Sequence, residues 1–185
     1  MRYIFGFLVT IGLIILILVL LLRGGTSSPT AKPVNLGDYL YSNATAQLII
    51  DGPVVAEPNH REVQIDVTQN NVVFTLYQGY QQNVIRTQTY SNNQSAYAVF
   101  LQALQHAGFT KTIKDNSLYD ERGYCSGGNR YIDTFTSDGK DVIRSWSTSC
   151  GGTSTFRGFQ GSVIDLFERQ VPDYPKLTAD TNFNL

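Results

Sequence analysis

Twenty consecutive residues, 3–22, carry no charge and are almost all apolar. As a helix rising about 1.5 Å per residue, such a run reaches about 30 Å, the hydrocarbon thickness of a bilayer. Arg2 and Arg23 bracket it. A cleaved signal peptide has a shorter apolar region, about 7–15 residues, followed by small residues at the cut. Here no A-x-A pattern follows Leu22, so residues 1–23 read as an uncleaved transmembrane anchor. No Cys follows the run, which excludes a lipid-anchored start. Arg2 and the terminal amine balance Arg23 and Lys32, so charge bias gives no orientation. A pilin-like assembly subunit also begins with an apolar helix, and Gly6-Phe7 would be its processing point. The fifth residue after that cut is Ile11 where Glu is expected, and Gly24, Gly25 and Pro29 stop the helix early.

Residues 24–37 are rich in Gly, Ser, Thr and Pro and lack the apolar residues needed to fold, so they read as a flexible linker. A domain over 38–175 follows, then a tail over 176–185. From Asp38 onward the chain has 11 basic and 15 acidic side chains, a net charge of −4. Nucleic-acid binding needs clustered Lys and Arg for the phosphates, so that class is excluded. Two Cys and two His exclude a cysteine-only zinc site and His-rich metal centres. No cofactor motif appears: there is no P-loop, dinucleotide glycine pattern or G-x-S-x-G. The domain is rich in Asn, Gln, Ser and Thr and poor in Lys. With its single cysteine pair, this places it outside the cytoplasm.

The periodicity predicts an α+β domain in the order β-β-β-β-α-β-β-α. Residues 46–50 make a short strand before Asp51-Gly52-Pro53. Residues 62–77 make a hairpin, with Asn70-Asn71 in the turn, Val67 facing Phe74 and Ile65 facing Leu76. Residues 83–90 read as a further strand. Residues 91–107 make a helix capped by Asn92 or Asn93 and ended by Gly108, with Tyr97, Phe100, Leu101 and Leu104 as its apolar stripe. Residues 161–170 make a second helix, with Ser162 and Asp165 as a capping pair and Val163, Ile164, Phe167 and Val171 inward. From Pro172 the chain reads as extended, then frayed. Residues 129–149 make the second hairpin around Asp138-Gly139, a favoured tight turn. That register sets Phe135 opposite Val142, Asp133 opposite Arg144 and Tyr131 opposite Trp146. An antiparallel sheet packed against two helices accommodates these elements.

In the same register Cys150 lies opposite Gly127, two places from Cys125. The flexible Ser126-Gly127-Gly128 lets the pair reach the roughly 5.5–6 Å Cα separation of a disulfide. The other readings are two free thiols, or a nucleophilic Cys served by His60 or His106. One face of the second hairpin carries Tyr131, Asp133, Phe135, Val142, Arg144 and Trp146, and the candidate ligand surface lies around Arg130, Tyr131, Asp133, Arg144 and Trp146. Flat Tyr and Trp faces suit sugars or peptides, and Arg grips carboxylates. The same residues also suit an inner face whose charges are paired. A hydrolase would need two carboxyls across a cleft, from Asp120, Glu121 and Asp133. Asp115-x-Ser117-x-Tyr119 lacks the fifth-position oxygen ligand and sixth-position Gly of a calcium loop. The glycines of CSGGNR and CGGTSTFRG read as turns beside the bridge. Asn43 and Asn93 head N-x-S/T triplets.

The strings RGYCSGGNRYI (122–132), RSWSTSC (144–150) and VPDYPKL (171–177) resemble a group of short membrane-anchored proteins from ultra-small bacteria of the candidate phyla radiation. The resemblance covers the last third of the chain. It implies a bacterial envelope setting, in which the N-x-S/T triplets are inert, and it carries no activity. The expectation is therefore a membrane-tethered binding or structural module outside the cytoplasm. Its membrane contact is residues 3–22, and its partner is a glycan, a peptide or another envelope protein.

Overall fold

The computed structural model describes residues 12–14 and 33–181. The expected anchor and the processing point after Gly6 lie outside the described residues, except for residues 12–14, which are helical. Among the described residues no helix is long and apolar enough to cross a membrane. Val34–Leu185 is one compact unit. It begins before the expected start of the domain. Leu36 sits in a short 3-10 turn, fully buried, and its N–H donates to Gln105 Oε1 at 3.0 Å.

Six strands form one antiparallel sheet: β1 (Ala44–Asp51), β2 (Arg61–Thr68), β3 (Asn71–Gln78), β4 (Asn83–Ser91), β5 (Arg130–Ser137) and β6 (Lys140–Thr148). Their spatial order is β4-β3-β2-β1-β5-β6. Helices α1 (Gln94–Ala107), α2 (Gln160–Glu168) and the single-turn α3 (Tyr174–Leu177) complete the α+β fold. The short α3 occupies part of what the sequence suggested was an extended tail. Alternation in β1 to β3 sends Ala46, Leu48, Ile50, Val63, Ile65, Val67, Val72, Phe74 and Leu76 to one side. There they join Tyr97, Phe100, Leu101 and Leu104 of α1 and Val163, Ile164 and Phe167 of α2 in one core.

The helix ends follow local chemistry. The Asn93 side chain accepts from Ala96 N–H, and Gly108 ends α1 at φ 80°. Helix α2 starts at Gln160 with Phe159 as its cap residue and no side-chain cap, so the expected Ser162–Asp165 pair does not start it. Its entry is fixed instead by Phe159 N–H donating to Ala107 C=O at 2.9 Å. Gly158 permits that junction. A Cβ there would lie 2.6 Å from the Phe156 ring and 2.7 Å from Ala107 O.

The two hairpins depart from their expected registers differently. In β2–β3 the turn is Gln69-Asn70, and Val67 faces Val72 while Ile65 faces Phe74. Thr68 Oγ1 accepts from the N–H groups of Asn70 and Asn71, which moves the turn back by one residue. The pairing thus moves by two, an even number, and every side chain keeps its expected face. In β5–β6 the turn is the expected Asp138-Gly139, both at positive φ (50° and 74°). A bulge then shifts the register by one, so that Thr136 faces Asp141 but Phe135 faces Ile143, with Val142 the extra residue. Beyond the bulge β6 is inverted. Asp133 faces Ser145, Arg144 faces Thr134, and Trp146 faces Ile132.

Candidate functional site

That inversion divides the expected ligand surface. Tyr131 and Asp133 face the helices, both buried, whereas Arg130, Arg144 and Trp146 face the other side. The expected Asp133–Arg144 and Tyr131–Trp146 pairings are therefore absent. Trp146 is fully buried beneath the loop that follows α1. Its indole N–H donates to Leu118 C=O at 2.7 Å, and the Tyr124 ring lies 4.9 Å away. Arg144 is held by Glu121 at 2.6 Å and Tyr119 C=O at 2.8 Å, with its guanidinium 5.1 Å from the Tyr119 ring. Together they border a small cleft of about 190 Å³.

Arg130 is buried at the strand end. It pairs with Asp51 at 2.7 Å and donates to Gly52 C=O at 3.2 Å. His60 closes the group from the other side, with Nε2 3.2 Å from Asp51 and Nδ1 3.3 Å from Pro53 C=O, its ring stacked on Tyr80. Burial pushes the Asp51 carboxyl up, and Arg130 and His60 oppose that push. Next to Asp51 on β2, burial and the Asp51 charge raise Glu62 to about 7. Asp51 thus ties Arg130 and His60 together at the β1–β2 loop, and Glu62 accepts instead from Gln82 Nε2 at 2.8 Å.

The carboxylates named for hydrolysis do not converge. Asp120 is exposed, and hydrogen bonds from Arg122 hold it down to about 2. Glu121 is paired with Arg144, and Asp133 lies on the opposite face of the sheet. Cys125 and Cys150 are joined in a disulfide with Cα atoms 5.7 Å apart, which leaves neither as a nucleophile. Among the described residues, no three His, Cys, Asp or Glu side chains are placed to hold a metal ion.

The larger opening, about 530 Å³, lies at the disulfide end of the sheet. One wall is the bridge segment, Gly127 to Asn129. The other is the first turn of α2, and Pro53 closes the end. The bridge segment is held in place on both sides. Ser126 C=O accepts from Val54 N–H at 2.8 Å, and Ser149 Oγ accepts from Asn129 N–H at 2.9 Å. Gly128 is required here. A Cβ would collide with Ser149 Oγ and lie 2.7 Å from the Cys125 sulfur. Opposite, Gly161 leaves the start of α2 open, since nothing lies within 4 Å of where its Cβ would be. With no side-chain cap, the partial positive end of the α2 dipole remains available.

The lining is uncharged. Asn129, Thr148, Ser149 and Gln160 supply amides and hydroxyls, Tyr131 an aromatic edge, and Pro53 and Ile164 apolar surface. Beneath it, Gln160 is fixed by Ser147 Oγ–H donating to its Oε1 at 2.8 Å. Its amide also lies against Asp133, whose carboxyl is fully buried and raised to about 7 by that burial. Neither Asp133 oxygen has a hydrogen-bond partner, nor has Ser145 Oγ opposite. The cleft can therefore offer hydrogen bonds and a flat apolar contact to a neutral polar molecule, and no ion pair. Of the residues named for the ligand surface, only Tyr131 borders it. The glycines beside the bridge were the available signal for the rest, but they read as turns rather than as a wall. Comparisons with protein-family models and with curated proteins find no match.

Proposed function

We propose that this chain is a membrane-tethered binding module of the bacterial envelope, with its domain outside the cytoplasm and its ligand site in the cleft at the disulfide end. The ligand class is a neutral glycan. The observation that carries this reading is the uncharged, donor-rich lining beside Tyr131, Pro53 and Ile164. Sugars present hydroxyl edges and apolar faces, which such a lining matches. The uncharged run of residues 3–22 supports the tether, the disulfide supports an oxidising compartment, and the resemblance in the last third of the chain supports the setting.

The test is co-sedimentation of the full chain, in detergent, with purified bacterial wall sacculi. Gly161→Phe places a large side chain at the open end of the cleft, where an added Cβ meets nothing within 4 Å. The wild type should sediment, and the variant should stay in solution with an unchanged melting temperature. Equal sedimentation of both would remove the site. Location is tested in intact cells with a membrane-impermeant thiol reagent. Labelling of Cys125 and Cys150 only after reduction supports an outside domain, and free thiols that react only after lysis contradict it.

A further inference from the structure

The two edges of the sheet are treated unequally. At β6 the segment 154–156 covers the edge at Trp146, with Thr155 and Phe156 N–H both donating to its C=O at 3.0 Å. At β4 nothing among the described residues pairs with the outer edge. Its nine residues, NVIRTQTYS, are mostly exposed and contain no Pro, Gly, Lys or acid. Folded proteins usually guard such an edge with charge, Pro, a bulge or a cover, because its free N–H and C=O groups template pairing with another strand. Here the bulge at Ile85 guards only the start. The one charge, Arg86, is turned to the chain's own end. Its Nη1 donates to Leu177 C=O, and its Nη2 lies 3.6 Å from Asp180.

We infer that β4 pairs with β4 of a second copy of this chain, antiparallel about Thr87, joining two sheets into one of twelve strands. The strand is self-complementary in this arrangement. Thr87 meets its own copy on the face away from the helices, and Arg86 meets Gln88 on the other. No like charges face each other, and a strand of alternating Thr residues is well suited to a ladder. A single strand pairing buries little compared with a standard interface, so the contact is weak for dilute copies. Confinement to one membrane raises the local concentration that such a contact needs.

The experiment uses the full chain reconstituted in liposomes. Thr87→Cys is treated with a short bismaleimide, and Val99→Cys on the exposed side of α1 serves as the control. A covalent dimer at position 87 and none at 99 is expected, because opposed residues lie within about 5.5 Å. Thr87→Lys sets two charges face to face and should lose the energy transfer that differently labelled wild-type copies show in the same liposomes, while keeping its circular dichroism. Equal cross-linking at both positions, or unchanged energy transfer for Thr87→Lys, would overturn the inference. So would an adduct in intact cells whose mass is not twice that of the chain, which would mark a strand from another protein as the occupant.

Discussion

The hairpins β2–β3 and β5–β6 are both two-residue-turn hairpins of one sheet, yet they bury different amounts of themselves. In the first, alternation is unbroken from Val67 to Val63. One side goes to the core, and the other carries a half-exposed polar ladder in which Gln47 and Gln64 donate to Asp66 at 2.7 and 2.6 Å. In the second, the bulge at Val142 turns β6 over, and a loop folds across the outer side. Trp146 is buried there while Asp133 and Phe135 are buried on the helix side. A single extra residue therefore decides whether a strand pair has one buried face or two. The two-faced hairpin is also the one that carries the disulfide and borders both clefts.

The contrast is broken most severely by Trp146→Ala, which should cost about 3–5 kcal/mol, the range for emptying a buried aromatic site. The matching outer-face change in the first hairpin, Gln64→Ala, should cost about 1 kcal/mol or less, since a half-exposed hydrogen bond is worth little net. Urea denaturation of both variants checks the difference, and equal losses would show that the outer side of β5–β6 is not a second core. Replacing Cys125 and Cys150 together with Ser should cost about 3 kcal/mol, as expected for opening a loop of 25 residues.

A separate effect concerns pH. Burial pushes Asp133 up from its ordinary value of 3.8 to about 7, so the folded state holds its proton where the unfolded chain has released it. Stability should therefore fall as pH rises from about 4 to about 7 and level off above that. Glu62, also raised to about 7, adds to the same slope. Asp133→Asn should flatten the decline in part, and denaturation at pH 5 and pH 8 measures it. An unchanged slope would mean that Asp133 is ionised in the fold. The smallest change is Gly161→Ala, which should gain about 0.5–1 kcal/mol from helix propensity, because the added methyl meets nothing.

The α+β class, the element order, the stripe on α1 and the Asp138-Gly139 turn were all legible, because periodicity and turn chemistry are local properties. The bulge was not. Val142, Ile143 and their neighbours suit either register, and the choice is made by burial of Trp146 under a loop whose course depends on contacts distant in sequence. The candidate site suffered most from this. Tyr131, Asp133, Arg144 and Trp146, expected on one face, fall on two, and the cleft that remains is lined largely by small polar residues with no distinctive spacing. Cys125 and Cys150 were legible because a pair flanking one hairpin needs only chain flexibility to meet.

The decisive measurement compares the two clefts in the sacculus assay. Gly161→Phe blocks the opening at the disulfide end. Tyr119→Ala removes the exposed ring beside Arg144 at the smaller one. With the ligand at the disulfide end, Gly161→Phe abolishes sedimentation and Tyr119→Ala sediments like the wild type. The reverse result would place recognition on the Arg144 side and contradict a site at the disulfide end.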